Sequence, residues 1–499
     1  MTIRTPVRLL AYVAALVAAG CATAMPRVSR GTGQTSSVAY LRGLILERSD
    51  QLPAALREYQ AALARDRESP LLHVRIGGVY LKMGQTQRAL QAFDNALALD
   101  PGQPEALRWI AMLYASEGQL EKAIAAYERL IQREPDQTAM STLADLYVLS
   151  GALPKAVALY HRLIDEFGSS SQLHFNLGIL YGRLGQYRDS IEELSRAFEL
   201  SPDSVEVRVA IGLTYELDGQ FDKAAALYED AIRLDPFNPR LYHHAARALL
   251  SAKRYAESAA EYQAVLDLVP SNIEAIMGLV RVWMAQDRFD DATRFLGKKL
   301  EELGQPPELY VALGIVYREA KQAQEAMRAF QRAIDLKSDY AQAHFYLAAQ
   351  LDQLGRRDLA RKSLLRTLAI DANHPDAMNY LGYLDAEAGV NLEEAKRLIE
   401  RALQLDPDNG AYVDSLGWVY YKMGRLDDAI AYLERASRLL DSDPVIFDHL
   451  GDAYFKQSDV ERAMTNWRKA LKLNPELAAV KAKLDKLVPD HHEAAAKAP

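Results

Sequence analysis

The chain has 499 residues, of which 49% are hydrophobic and 25% are charged, so it has enough apolar material to bury a large core. Its 67 acidic and 59 basic residues give a formal net charge of −8. This balance argues against a nucleic-acid-binding protein, which needs a basic surface, and the single cysteine excludes an internal disulfide bond.

The first twenty residues have the pattern of a secretory signal. Arg4 and Arg8 precede an apolar run over residues 9–19, and Gly20 follows that run. The run is too short to span a bilayer as a helix. We therefore predict that residues 1–20 are a signal peptide.

The lone cysteine, Cys21, stands directly after this segment. Residues 17–21 read Val-Ala-Ala-Gly-Cys and resemble a bacterial lipobox, in which the peptide is cut before the cysteine and the cysteine is then acylated. Two or more acyl chains anchor a protein stably in a membrane. The resemblance implies a lipoprotein. Because Ala22 rather than Asp follows the cysteine, it also implies an outer-membrane protein that faces the periplasm.

Two alternatives remain open for this region. Cleavage after the A-x-A sequence at 22–24 would discard the cysteine and release a soluble periplasmic protein. The segment could also stay uncleaved, with Cys21 as an ordinary small apolar residue. Residues 21–35 are rich in small and polar residues, and we expect them to form a flexible tether.

Thirteen small residues recur at an interval of about 34 residues along the rest of the chain. A second small set precedes them by about one helix length. An interval of this size is typical of stacked helix–turn–helix units. The first set is Ala55, Ala89, Ala123, Ala156, Ser190, Ala224, Ser258, Ala292, Ala326, Ala360, Ala395, Ala429 and Ala463, and the second is Gly43, Gly77, Ala111, Ala144, Gly178, Gly212, Ala246, Gly314, Ala348, Gly382, Gly417 and Gly451.

The second repeat, residues 70–103, shows the helical pattern most clearly. Its apolar residues recur at spacings of three and four on both sides of a break at Gly84-Gln85, which predicts two α-helices. Pro101 ends the second helix, because a residue before proline resists the helical conformation. We expect Gly77 and Ala89 to let the two helices approach closely.

Within each repeat an aromatic site, a small site and a second aromatic site follow one another, and a proline ends the repeat. This order of sites resembles the tetratricopeptide repeat (TPR). The resemblance covers residues 36–475 and implies an all-α fold: a right-handed superhelix, or α-solenoid, of thirteen repeats whose concave face binds other proteins. Residues 476–488 are expected to form a capping helix, and residues 489–499 a disordered tail. The repeats start at Ser36, Pro70, Pro104, Gln137, Ser171, Val205, Pro239, Ile273, Pro307, Ala341, Pro375, Gly410 and Pro444.

Two repeats depart from the pattern. In repeat eight, residues 273–306, Val280 replaces the small residue and Gly297 lies inside the second helix. This indicates either drift in a tolerant repeat or a flex point. Repeat eleven has an extra residue within 389–392 and places Asp385 at a core site, where a charge must find a partner or reach water.

No arrangement of residues typical of a catalyst is found. The chain has no nucleophile elbow, phosphate-binding loop, zinc-protease motif or Cys-x-x-Cys pair. We therefore expect a non-enzymatic protein without metal or cofactor. An enzyme would need a polar cluster in the groove, and we keep that class only as a minor alternative.

The first helix of each repeat lines the concave groove in proteins of this type, and residues four and then three apart share its inner face. Exposed aromatic residues there favour partner binding. As an alternative, Trp418 and Tyr383 could pack between neighbouring first helices, and the carboxylates could only keep the groove soluble. The expected partner-binding groove is Asn379, Tyr383, Asp414, Trp418, Tyr421, Asp448, Asp452 and Phe455, and a secondary patch is His243, Arg247, Arg281 and Met284.

The late repeats carry a further resemblance. The segments 379–383, 414–420 and 448–454 are similar to those of bacterial envelope TPR lipoproteins, some of which are adaptors that hold a periplasmic carboxyl-terminal processing protease with its substrates. The resemblance implies a scaffold that recruits such a protease. The alternative is an assembly or secretion factor for exopolysaccharide, pilus or outer-membrane proteins. The sequence does not indicate the oligomeric state.

Overall fold

The computed structural model describes residues 33–487, and this part of the chain contains 27 α-helices and no strand. The all-α fold of helix–turn–helix repeats is therefore confirmed. The signal peptide, Cys21 and the tail at 489–499 lie outside the described residues. In chain order the helices are α1 Gly33–Arg48, α2 Leu52–Leu63, α3 Pro70–Lys82, α4 Thr86–Leu99, α5 Pro104–Ser116, α6 Leu120–Arg133, α7 Gln137–Leu149, α8 Leu153–Phe167, α9 Ser171–Arg183, α10 Tyr187–Leu200, α11 Val205–Leu217, α12 Phe221–Leu234, α13 Pro239–Ser251, α14 Tyr255–Leu268, α15 Ile273–Met284, α16 Phe289–Glu302, α17 Pro307–Glu319, α18 Ala323–Leu336, α19 Ala341–Gln353, α20 Arg357–Ile370, α21 Pro375–Ala388, α22 Leu392–Leu405, α23 Gly410–Lys422, α24 Leu426–Leu439, α25 Pro444–Lys456, α26 Val460–Leu473 and α27 Ala478–Asp485.

The chain divides into two compact units, Met1–Leu241 and Tyr242–Pro499. Helices α1 to α26 form thirteen pairs, in which the odd-numbered helix is the first helix of a repeat and the even-numbered helix is the second, and α27 follows the last pair. Helix α1 begins at Gly33, inside the stretch that we expected to be tether, because no proline stops the first helix from extending by most of a turn. The expected flex point in repeat eight stays a prediction.

Local signals set the ends of the helices. Proline occupies one of the first two positions of α3, α17, α21 and α25, where its missing N–H costs no hydrogen bond. Asn272 and Asp136 cap α15 and α7 by accepting hydrogen bonds from backbone N–H groups, at 2.9 and 3.0 Å. Gly84 takes a φ of 71° between α3 and α4, in the left-handed region that glycine adopts without strain.

A seam of small residues joins the two helices of each repeat. All thirteen residues of the main small set, from Ala55 to Ala463, are 0% exposed. On the first helices, a Cβ added to Gly77 would lie 2.4 Å from Phe93 Cε1, and one added to Gly314 would lie 2.4 Å from Phe330 Cε1. In these two repeats the aromatic ring of the second helix therefore fills the space that the missing side chain leaves.

Repeat eight lacks this arrangement. Val280 is buried where other repeats carry a small residue, and α15 and α16 contact each other less extensively than the helix pairs of repeats nine to thirteen. Gly278 of α15 instead faces Tyr262 of α14, with its added Cβ 2.2 Å from Tyr262 Cε1. The close contact between a glycine and an aromatic ring therefore lies at the junction of repeats seven and eight, and not within repeat eight.

The extra residue of repeat eleven provides a partner for Asp385. This carboxylate is 2% exposed and accepts two hydrogen bonds from Arg361, at 2.7 Å from Nε and 3.1 Å from Nη2. Asn391, in the inserted turn with a φ of 50°, donates a third from Nδ2 at 3.2 Å. The buried charge is therefore compensated by both a neighbouring repeat and its own turn.

Glycine at the seam gives a first test. Gly77→Ala forces the Phe93 ring to move and should lower the free energy of unfolding by about 1–3 kcal/mol. Gly78→Ala is the matched control, because a Cβ at this neighbouring helical position meets nothing within 4 Å. Urea unfolding of the two variants measures the difference, and equal midpoints would contradict the seam.

The contact between Arg361 and the buried carboxylate of Asp385 gives a second test. Arg361→Met leaves buried Asp385 with Asn391 alone and should lower the free energy of unfolding by about 1–3 kcal/mol. Arg397→Met, which breaks only the exposed ion pair with Glu394, should change it by less than about 0.5 kcal/mol. Thermal melts measure both changes. In an Asp385→Leu background the effect of Arg361→Met should fall, and an unchanged effect would show that the two residues are not coupled.

Candidate functional site

The eight residues of the expected groove lie on three first helices of the second unit, α21, α23 and α25. Helix α23 contacts both α21 and α25. The residues are four and then three positions apart on α23 and α25, and four apart on α21, which places them on one side of each helix. We call this surface the late first-helix face; it consists of Asn379, Tyr383, Asp414, Trp418, Tyr421, Asp448, Asp452 and Phe455.

A stack of three rings occupies the middle of this face. The Trp418 ring lies 4.6 Å from the Tyr421 ring at an interplanar angle of 8°, and 4.0 Å from the His449 ring at 16°. Trp418 Nε1 also donates a hydrogen bond to Glu387 of α21. Stacking of this kind stabilises a fold beyond the burial of area alone.

The stack corrects one of our expectations. Trp418 is only 6% exposed, so it is not an exposed groove aromatic but packs between neighbouring first helices, as the alternative held. Truncating a buried tryptophan to alanine costs about 3–5 kcal/mol of stability. A Trp418→Ala variant would therefore report on folding before it reported on binding.

Asp414 is also buried rather than directed into a groove. His449 Nδ1 lies 3.0 Å from both carboxylate oxygens of Asp414, and both side chains are almost fully buried. Burial alone lowers the pKa of His449, but the Asp414 charge and hydrogen bond, with the fields of Asp448 and Asp452, outweigh it. The pKa of His449 is therefore raised above its ordinary value.

The remaining two carboxylates are engaged by the last helix. Lys483 of α27 lies 2.6 Å from Asp448 Oδ1 and 2.6 Å from Asp452 Oδ1. Trp467 Nε1 donates a further hydrogen bond to Asp452, at 3.1 Å. Burial raises the pKa of Asp452, although the bond from Lys483 opposes this effect. The two carboxylates thus hold α27 against the end of repeat thirteen.

Four residues of the late first-helix face stay accessible in whole or in part. Phe455 is 45% exposed, with its ring 5.5 Å from that of Trp467. Tyr383, Tyr421 and Asn379 are half-buried. The buried Oδ1 of Asn379 has no hydrogen-bond partner among the described residues, so it is an unused acceptor. This accessible part is apolar and aromatic, with few free charges.

The secondary patch lies on α13 and α15, also in the second unit. His243 Nε2 is 3.2 Å from Glu274 Oε1, and this contact links the two helices. Arg247 and Arg281 are exposed, whereas Met284 is half-buried against the core of repeat eight. The patch is therefore a polar surface rather than a pocket.

Sequence reasoning missed the partners that hold the face together. Each of these partners lies about one repeat away along the chain. The separation is 31 residues between Glu387 and Trp418. It is 35 residues both between Asp414 and His449 and between Asp448 and Lys483. These two separations recur because neighbouring first helices lie one repeat apart. A search for complementary residues at these separations could have found all three pairs.

The buried histidine predicts a dependence of stability on pH. Because the pKa of His449 is raised in the folded state, its protonation stabilises the fold. This contribution is fully present when the pH is below the pKa of the unfolded state, about 6.5, and it is lost as the pH rises through the pKa of the folded state. The melting temperature should therefore fall as the pH rises above about 6.5 at constant ionic strength. His449→Gln should flatten this slope, whereas His344→Gln on α19, where the ring faces the backbone oxygen of Ser338, should not. A slope that persists in His449→Gln would assign it elsewhere.

The described residues, 33–487, contain no group of three or more histidine, cysteine, aspartate or glutamate side chains that could hold a metal ion. Within the same range, none of the helices has the length and apolar character needed to cross a membrane.

Known proteins share this repeat. The chain is 25% identical over 159 residues to the TPR repeat-containing protein YpiA of Bacillus subtilis, covering 32% of this chain and 38% of that protein. It is 31% identical over 154 residues to the TPR repeat-containing protein PA4667 of Pseudomonas aeruginosa, covering 30% and 25%. The Tetratricopeptide repeat protein 8 of Caenorhabditis elegans is 26% identical over 220 residues, covering 44% and 43%. The chain thus spans less than half the length of each of these relatives.

Solved structures are similar at low identity. The crystal structure of the APC/C hetero-tetramer Cut9–Hcn1 aligns with a TM-score of 0.44 at 15% identity, covering 97% of this chain and 99% of that one. The crystal structure of the yeast Tom70 aligns with a TM-score of 0.41 at 15% identity, covering 93% and 98%.

Family models described as tetratricopeptide repeat match most of the array. The matched residues are 40–104, 80–146, 114–180, 175–239, 249–313, 307–340, 387–447 and 446–477. Together they extend over well more than half of the sequence, and they agree with the helix pairs and the small-residue seam of the structure. The chain therefore belongs to the tetratricopeptide repeat family.

Proposed function

We propose that this chain is a non-enzymatic scaffold that holds a protein partner on its late first-helix face. Tetratricopeptide repeat proteins act as scaffolds for protein–protein interactions, and the repeat fold is typically non-catalytic. The observation that carries the proposal is Phe455, a large apolar side chain that is 45% exposed on the same face as half-buried Tyr383 and Tyr421. Aromatic side chains in such positions are common anchors of protein interfaces.

The ring stack gives this face a fixed shape before a partner arrives. Trp418 is held by a ring on each side and by the hydrogen bond to Glu387, and Lys422 Nζ lies 4.8 Å from the centre of its ring. Lys456 Nζ lies 4.3 Å from the centre of the Tyr421 ring. A surface that is already ordered loses little conformational entropy on binding, so its contacts contribute more to affinity.

The chemistry of the face favours a partner segment with apolar side chains. The acidic groups Asp414, Asp448 and Asp452 are already paired with His449 and Lys483, so they are not free to select a basic ligand. A peptide with an apolar anchor would match the exposed Phe455 ring and the half-buried tyrosines of this face.

The cellular setting belongs to the same proposal. The lipobox-like sequence that ends at Cys21 supports acylation and an outer-membrane lipoprotein that faces the periplasm, and cleavage at 22–24 would make it soluble in the periplasm instead. The motifs of the late repeats support a carboxyl-terminal processing protease as the partner, held together with its substrates. Holding both at once would raise their effective concentration. An assembly or secretion role for exopolysaccharide, pilus or outer-membrane proteins is the second candidate.

Crosslinking and capture from envelope extract test the proposal. Phe455→Ala should weaken capture of the protease by at least about ten-fold, because an anchor residue contributes more than about 1.4 kcal/mol. Phe237→Ala is the matched control: this phenylalanine is 81% exposed and belongs to the first unit. Both variants should keep the helix content of the parent chain by circular dichroism.

The outcomes separate the candidates. Recovery of a secretion or assembly component that depends on Phe455 would keep the binding face and replace the protease by the second candidate. Capture that is unchanged in Phe455→Ala and in Tyr383→Ala would place the binding site elsewhere on the chain. Loss of membrane association in Cys21→Ser would support the anchor, and retained association would contradict it.

A further inference from the structure

A cavity of about 570 Å³ opens on the opposite helices of the second unit, away from the residues of the late first-helix face. Its walls are the second helices of repeats nine and ten, α18 and α20, and its floor is α19 between them. Leu347 and Leu351 of α19 form the base, and Met327 and Leu359 stand on the two walls. Its volume lies within the range of about 300–1,000 Å³ that is typical of ligand sites.

The rim of this cavity is strongly basic. Arg328, Arg332, Arg356 and Lys362 line it, against Asp335 as the one acidic lining residue. The whole chain carries a formal charge of −8, so a rim of four cations and one carboxylate runs against the overall balance. A local field of this sign attracts anionic groups.

The cations of the rim are poorly neutralised by the protein itself. Lys362 has no ion pair or hydrogen bond to any of the described residues. Arg328 lies 3.9 Å from Glu325, at the outer limit of an ion pair. Arg332 donates to the neutral Gln305 at 3.0 Å, and Arg356 approaches the sulfur of Met327 at 3.9 Å. By contrast, Arg361 on the same helix α20 is paired with Asp385.

The apolar part of the cavity is accessible as well. Leu359 is 46% exposed although it lies beside the buried Leu351 and the half-buried Met327. An apolar side chain that enters between α18 and α20 would remove this surface from water, which favours binding in proportion to the apolar area buried. The cavity therefore combines an apolar base with a cationic rim.

We propose that the cavity between α18 and α20 is a second docking site, which takes an acidic segment of a partner protein with a leucine-sized side chain between carboxylates. The apolar side chain enters against Leu347, Leu351 and Leu359. The carboxylates pair with Lys362 and Arg328 on the two walls. This site does not depend on the late first-helix face, so the chain can hold one partner on its first helices and another on its second helices.

The structure favours a peptide over a membrane surface as the occupant. A bilayer is flat, and it would meet the exposed rim without reaching Leu347 and Leu351, which are almost fully buried at the base. A side chain on a peptide backbone can enter a cavity of this size while its neighbours stay at the rim. The carboxylates on either side of it then lie at the level of the arginine and lysine heads.

The experiment uses a fluorescein-labelled peptide of about twelve residues in which leucines are flanked by glutamates, and the full-length chain carrying Cys21→Ser so that no acyl chain is present. Fluorescence anisotropy should show binding that weakens as salt rises, because the rim charges are exposed to solvent. Replacing every glutamate of the peptide by glutamine should weaken binding by at least ten-fold. Replacing its leucines by serine should also weaken it.

Variants of the protein locate the site. Lys362→Glu combined with Arg328→Glu should weaken binding of the acidic peptide by at least ten-fold, and Leu359→Ser should do so without altering the charge. The matched control is Lys298→Glu combined with Arg294→Glu, two exposed cations on the second helix α16 of repeat eight. Circular dichroism should show the helix content of the parent in each variant.

Several results would overturn the proposal. These are equal binding of the glutamine peptide, equal loss in the α16 control, or no binding of the acidic peptide at low salt. Binding to phosphatidylglycerol vesicles that is lost in Lys362→Glu, without peptide binding, would make the site a membrane contact instead. Self-association that is lost in Lys362→Glu would make the occupant a second copy of the chain. Phe455→Ala should leave peptide binding unchanged, which keeps this test separate from that of the first-helix face.

Discussion

The close approach of two helices at a small side chain is the constraint on which the rest of the structure depends. Thirteen alanine or serine residues, one in each repeat, are 0% exposed, and glycines such as Gly77 and Gly314 receive an aromatic ring from the opposite helix. When the two helices of a repeat are this close, the apolar faces that remain can only be covered by the next repeat. Stability is therefore shared between neighbours along the array.

Repeats eight and eleven show how the array accommodates departures from the repeat pattern. In repeat eight a valine stands at the seam, and Gly278 receives Tyr262 from the preceding repeat instead. In repeat eleven one additional residue places Asn391 within 3.2 Å of Asp385, so the insertion and the buried charge are parts of one arrangement. Such local exceptions are tolerated because each repeat contacts only its neighbours.

The two sides of the second unit have different chemistry. On the late first-helix face, Asp414, Asp448 and Asp452 are paired with His449 and Lys483, and the accessible surface that remains is aromatic. On the second helices α18 and α20, the basic groups Lys362 and Arg328 are left with little neutralisation by the protein. One face is therefore suited to apolar anchors and the other to acidic ones, which allows different partners to be held by one chain.

The amino-acid sequence by itself determined the helix–turn–helix repeat, because small residues, apolar spacings and prolines act locally and recur in register. It also placed the eight residues of the late first-helix face on the correct helices. Only the tertiary structure decided their roles. Trp418 is buried by Tyr421 and His449, Asp448 and Asp452 bind Lys483, and Phe455 stays exposed. The partners His449 and Lys483 lie about one repeat length further along the chain, 31 or 35 residues away, and a periodic pattern within one helix carries no information about which side chain of that neighbour faces each position.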